Sequence, residues 1–180
     1  KKQIIKYGAP GTGKTFQARQ QTSLLFDIWK EEFAPDTDFT HQGQIELVQF
    51  HPSFSYEDFI EGLRPILDQN GQAQLTLQNG IFKEFCLKAG KWEIDVFNLH
   101  LDKEWDEIKI LDLHPYKDQL SNSYWDYIFR VEDQTKLVSN AIPPFFFIID
   151  EINRAELSRV FGELMYCLEY SGVKGCVGIR

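Results

Sequence analysis

An α/β fold, with a parallel sheet flanked by helices, is what this sequence predicts, and three observations predict it. Apolar Ile4, Ile5 and Tyr7 run straight into a glycine-rich segment, Gly8 to Gly13, and from there into a stripe of Ala18, Leu25, Ile28, Trp29 and Phe33 at helical spacing. Phe145 to Ile149 is a five-residue apolar run without alternation, the pattern of a parallel strand buried on both faces. Leu157, Val160, Phe161, Leu164 and Leu168 then form a second helical stripe. Strands and helices in alternation define the α/β class.

Ile4 to Tyr7 reads as a buried strand, and the helix that follows from Lys14 stops before Pro35. Ile45 to Phe50 is a second strand. Ser55 and Asp58 stand three apart as a capping box that opens a short helix through Phe59 and Ile60, with Gly62 and Pro65 to stop it. Asn70-Gly71 between two extended segments signals a β-hairpin near residues 65–77. Ile81, Phe82, Phe85 and Ala89 describe an amphipathic helix that Gly90 ends. Residues 91–142 hold three of the four tryptophans and show broken alternation, which reads as a mixed insertion. Asp150 and Glu151 close the apolar strand, and Gly172 terminates the last helix. With 180 residues, 43% hydrophobic and 26% charged, the chain reads as a single domain, 1–180, carrying that insertion.

The net charge of −8 and the absence of a Lys/Arg cluster argue against a grip on nucleic-acid phosphates by this chain itself. Between Lys91 and Ile142 eleven acidic residues face six basic ones, a solvated acidic surface. No apolar run approaches the ~20 residues that cross a bilayer, and no apolar leader opens the chain, so the expected location is cytoplasmic, away from membranes. Cys86, Cys167 and Cys176 are odd in number, widely spaced and form no C-x-x-C pair, so neither a disulfide framework nor a zinc site is indicated.

Gly8-Ala9-Pro10-Gly11-Thr12-Gly13-Lys14-Thr15, followed by Phe16, fits G-x-x-x-x-G-K-[ST]. In such a phosphate loop, backbone N–H groups at a helix N-terminus close around phosphate oxygens. Lys14 would reach the β- and γ-phosphates, and the Thr15 hydroxyl would ligate Mg²⁺. The complementary half is Asp150 and Glu151: a carboxylate beside the metal and a base to polarise the attacking water. Asn153 and Arg154 open the next helix, where they face the γ-phosphate or a neighbouring subunit, or serve as cap and surface. His51, ending the second strand, would hydrogen-bond Glu151 and hold it from the water until a ligand arrives. Phe50, Phe54, Tyr56 and Phe59 read as packed core rather than a base-stacking platform, since Glu57, Asp58 and Glu61 flank them instead of a basic groove. A phosphate loop sees phosphates, so GTP and ATP both remain open as substrate.

Three segments stand in order: GAPGTGKTF at 8–16, VQFHPSFSYEDFIEGLRP at 48–65 and FIIDEINRAELSRVFGELMYCLE at 147–169. Together they resemble the McrB family of AAA+ NTPases, motor subunits of modification-dependent restriction systems. DEINRA also looks like MoxR-type AAA+ chaperones, but those continue into a proline-rich turn where this chain has Glu156-Leu157-Ser158. The resemblance covers roughly two-thirds of the chain and leaves 91–142 outside. The resemblance implies a ring of six subunits that hydrolyses GTP or ATP, with a tilt toward GTP, and works with a nuclease subunit of the McrC type. DNA would be met only through other domains or subunits. Family members continue into a sensor strand bearing a motif like MNTAD, arginines acting across subunits and a helical lid, none of which precedes Arg180. The sheet is therefore expected to be incomplete and the chain to be a fragment with weak turnover, an arginine finger being worth ~10³–10⁵ in rate. The alternatives are an assembly or regulatory module that binds nucleotide without efficient hydrolysis, or a MoxR-type AAA+ chaperone ATPase.

Overall fold

The computed structural model describes residues 4–9, 11–35, 43–67, 71–120 and 123–165. In chain order the elements are α1 (Lys14–Phe33), β1 (Ile45–Gln49), α2 (Tyr56–Phe59), β2 (Glu61–Leu67), β3 (Ala73–Asn79), α3 (Ile81–Ala89), α4 (Lys91–Phe97), α5 (Ile110–Leu113), α6 (Ser123–Ile128), α7 (Val138–Ala141), β4 (Phe146–Asp150) and α8 (Leu157–Phe161). Short 3₁₀ helices cover His114–Gln119 and Ile152–Arg154. The chain forms two compact units, residues 1–46 with 89–148 and residues 47–88 with 149–180.

β1 and β4 pair in a two-stranded sheet. Phe146 N donates to Gln44 O (2.7 Å) and Phe50 N to Asp150 O (3.0 Å), so both strands advance in the same sense and the pair is parallel. Every residue of β4 is half-buried rather than buried. The expected burial on both faces is not met, and among the described residues β4 pairs with β1 alone in its sheet.

In the first unit α1 buries Phe26 and Trp29 among Val96, Ile110, Leu113, Trp125 and Ile128. These partners come from 91–142, which supplies most of this core. The expectation of mixed structure there is corrected: the described residues form short helices, with one isolated bridge between Lys109 and Leu137. Trp92, Ile94 and Val96 alternate like a strand, but Lys91 and Asp95 pair across one helical turn, an alignment that only a helix supplies. Asp95 also accepts from Tyr124 Oη (2.7 Å) and Trp125 Nε1 (3.1 Å), fastening α4 to α6.

Ile4, Ile5 and Tyr7 are not a buried strand. They are 56%, 84% and 94% exposed and belong to no described strand. An apolar run gains from extended geometry only where a neighbouring strand takes its N–H and C=O groups, and no described strand lies beside it.

Asp112 shows how this unit responds to acid. Its carboxylate accepts from Lys103 Nζ (2.8 Å) and from Lys109 N (2.9 Å), which holds its pKa below the usual 3.8. A depressed folded-state value means the stabilisation is fully present above the unfolded pKa and is lost as pH falls through the folded one. Asp112→Asn is expected to cost ~0.5–1 kcal/mol at pH 7, a penalty that should fade in chemical-denaturation curves as pH falls below the ordinary aspartate value of 3.8.

The second unit is built on aromatic rings. Phe50, Phe54 and Phe59 are buried; Phe50 stacks on Phe54 (4.7 Å) and Phe59 on Phe82 (4.7 Å), while Phe161 meets Phe59 edge-on (5.1 Å). The packed-core reading holds for Phe50, Phe54 and Phe59, whereas Tyr56 is half-buried and its hydroxyl donates to Glu163 Oε1 (3.0 Å). The capping box forms as expected, with Ser55 N and Oγ both donating to Asp58 Oδ2 (3.2 and 3.1 Å). Gly62 and Pro65 do not stop the helix: α2 ends at Phe59, and both lie in β2. Proline has no N–H to give, which is tolerable because each strand of a two-stranded ribbon is an edge. The hairpin expected near 65–77 is present and longer, pairing Glu61 with Asn79 through Leu67 with Ala73; Asn70 lies outside the described residues. Gly80 then brings the chain against α2, where a Cβ would fall 2.6 Å from Asp58 O and Ile60 N. The last helix is interrupted at Gly162 (φ 49°) and resumes at Leu164 and Met165, while Leu168 and Gly172 lie outside the described residues.

Candidate functional site

Two groups of candidate residues are formed, one in each unit. In the first, Gly8, Gly11 and Gly13 adopt φ of 154°, 77° and 75°, conformations that a side chain would strain. Residues 8–9 and 11–13 lead in this way into α1, whose first intrahelical bond is Gln17 N to Gly13 O (2.9 Å). Lys14 turns back over the loop and donates to Gly8 O (3.0 Å) and Ala9 O (2.8 Å); Thr12 Oγ1 donates to Ala9 O (2.9 Å). A 20-residue helix begins here with no acidic residue in its first turn, so the positive end of its dipole is unopposed. Thr15 is half-buried and Phe16 is 64% exposed, and Pro10 lies outside the described residues.

In the second unit Asp150 ends β4, and its Oδ1 accepts from Glu151 N (3.0 Å). Glu151 is left-handed, φ 53° and ψ 38°, a conformation that costs a non-glycine residue ~1 kcal/mol or more. Two bonds from one residue support it: Arg154 N donates to Glu151 O (2.8 Å), and Arg154 Nε to Glu151 Oε2 (3.1 Å). Asn153 is exposed in the 3₁₀ turn between them.

His51 is the sequence candidate that the structure assigns a different partner. Its Nδ1 shares a hydrogen bond with Ser53 Oγ (3.0 Å), its ring meets Phe54 edge-on (5.4 Å), and it lines an open cleft of ≈ 400 Å³ with Asp58, Arg64 and Glu84. The residue that engages Glu151 is Arg154. The signal for that pairing was the i, i+3 spacing of acid and cation in Glu151-Ile152-Asn153-Arg154.

Among the described residues no group of three or more His, Cys, Asp or Glu is placed to hold a metal. Thr15 in the first unit and Asp150 in the second are each half-buried oxygen donors, the ligand type that a magnesium ion takes. No helix among the described residues is long and apolar enough to cross a membrane.

No family model matches the chain. Over 170 residues it is 36% identical to the Type IV methyl-directed restriction enzyme EcoKMcrB subunit of Escherichia coli (strain K12), a stretch that takes in 94% of this chain and 23% of that protein. The chain is McrB-like over that stretch. Only about ten of its residues fall outside, so most of 91–142 lies within the matched stretch, contrary to the expectation that this insertion departs from the pattern.

Proposed function

We propose that this chain is the nucleotide-binding core of an AAA+ motor in a McrB-like DNA restriction complex, hydrolysing GTP or ATP with Mg²⁺. In this reading residues 8–16 wrap the phosphates, Lys14 bridges the β- and γ-phosphates, and Thr15 and Asp150 share the magnesium. Glu151 polarises the attacking water, with Asn153 beside it. The ring, the McrC-type nuclease subunit and the approach of DNA through other domains belong to the same proposal. So does the full AAA+ sheet, of which β1 and β4 would be two strands.

The observation that carries it is the loop: three glycines in conformations reserved for glycine, followed by a lysine at the start of a long helix whose first turn holds no acidic residue. Such a loop presents N–H groups and a positive dipole to an anion. Lys14 is already gathered over it, and a triphosphate would exchange two neutral carbonyl partners for charged phosphate oxygens. The similarity to a restriction-enzyme subunit supports the choice of McrB-like motor over MoxR-type chaperone.

The test is titration of the chain with GTP and with ATP, each with and without Mg²⁺, followed by mass measurement of the assembled species. Magnesium-dependent triphosphate binding is expected. Lys14→Ala should weaken it ~10–100-fold, since one charge-assisted interaction contributes ~1.5–3 kcal/mol. A folded chain indifferent to both nucleotides would end the proposal.

A further inference from the structure

The β2–β3 ribbon is turned the opposite way from an ordinary amphipathic hairpin. Residues opposite one another in an antiparallel pair share a face. The register therefore places Leu63 with Leu77, Pro65 with Leu75 and Leu67 with Ala73 on one side, and Arg64 with Thr76 and Ile66 with Gln74 on the other. It is the second, more polar side that meets the rest of its unit. Arg64 Nη2 donates to Asp58 Oδ1 of α2 (3.1 Å), and a Cβ on Gly62, which shares that side, would fall 2.5 Å from Glu57 Cβ. Thr76 is half-buried there, and Ile66 is less exposed than any leucine of the ribbon. Leu63, Leu67, Leu75 and Leu77 are left between 58% and 73% exposed. A two-stranded hairpin is marginal in water unless a face is covered, and the uncovered face here is the apolar one.

We propose that this leucine face is a self-docking surface, on which a second copy of the chain lays the same face in a two-fold pair. Positions 63, 65, 67, 73, 75 and 77 carry no charged side chain. A copy therefore brings no like charge into the contact, and a charged partner finds nothing there to answer it. One sheet face studded with leucines is complementary to another of the same kind, and in a two-fold contact the same residues serve both sides. The four leucines present roughly 500 Å² of apolar surface, the upper part of what a monomer ordinarily leaves uncovered. Two such faces laid together bury about 1,000 Å², the least that a specific contact needs, so the pair is weak and reversible. The net charge of −8 lies off this face and repels the approaching copy. Screening by salt therefore strengthens the pair, the reverse of what a charge-held contact shows. Neither nucleotide nor the phosphate loop takes part in it.

Sedimentation of the nucleotide-free chain from about 1 µM to about 1 mM reads the mass directly. It should move from one copy toward two, and the midpoint should fall to lower concentration as salt is raised from ~0.05 to ~0.5 M. Leu75→Arg sets two like charges into the middle of the contact and should leave a single copy throughout that range. Gln74→Arg, on the opposite side of the ribbon, should associate as the wild type does. Leu63→Ala only trims the face and should weaken association ~3–10-fold; it reads the same contact should Leu75→Arg disturb the hairpin, which the melting temperatures of the variants report. A wild-type chain that stays single up to about 1 mM overturns the self-docking surface. An association that Leu75→Arg and Leu63→Ala leave unchanged lies elsewhere on the chain and overturns it too. So does one that salt dissolves, because charge and not the leucine face would then be holding it.

Discussion

Glu151→Gln is expected to lower nucleotide turnover ~10²–10⁴-fold while leaving the Mg²⁺-triphosphate bound. The substitution keeps the size of the side chain and its hydrogen-bonding oxygen but removes the negative charge that would draw a proton from water. Glu151 directly follows Asp150, whose carboxylate caps the Glu151 amide; amide for carboxylate at 151 leaves that bond intact, so the proposed metal ligand is undisturbed. The loss should therefore fall on kcat and not on binding. Phosphate release at saturating nucleotide, set beside an equilibrium titration of the same variant, separates the two. An assembly module that never depended on hydrolysis would show little change in either. Loss of binding together with turnover would instead mean that the left-handed turn at 151 had collapsed, a fault visible in the melting temperature.

How far the sequence exposed this architecture can be judged residue by residue. α1 and its loop were legible because glycine positions, lysine and apolar stripe all agree over one stretch. The hairpin was legible from Asn70-Gly71, although its strands extend to Glu61 and Asn79, beyond the turn's reach. Ile4 to Tyr7 were misread because hydrophobicity states a preference for burial, whereas burial needs a partner that the segment itself does not encode. Residues 91–142 were misread because period-two spacing at Trp92, Ile94 and Val96 outweighed the Lys91–Asp95 pair that fits a helical turn. In the site, residue types identified Asp150 and Glu151 as candidates. The grip of Arg154 depends on a left-handed backbone at Glu151, and nothing in a glutamate announces that φ.

Trp125→Ala is the substitution expected to cost the most stability, ~3–5 kcal/mol. The indole is fully buried in the same cluster as Phe26 and Trp29 of α1 and Ile110, Leu113 and Ile128 of the insertion. Its Nε1 also donates to Asp95, so truncation opens a cavity and removes one of the donors that keep a nearly buried carboxylate satisfied. A loss of that size should lower the melting temperature by about 10 °C or more. Trp105, 40% exposed and packed edge-on against Trp92 (5.8 Å), is the matched control, and its replacement by Ala should cost less than half as much. The consequence reaches the loop because α1 begins at Lys14 and is anchored by Phe26 and Trp29, three helical turns further on. A loosened core should leave the helix start less preorganised, so the variant should bind triphosphate more weakly although residue 125 touches no part of the loop. Saturating nucleotide should then restore part of the lost stability by mass action. A Trp125→Ala chain that melts with the wild type would show that 91–142 is an appendage and not the body on which the phosphate-loop helix rests.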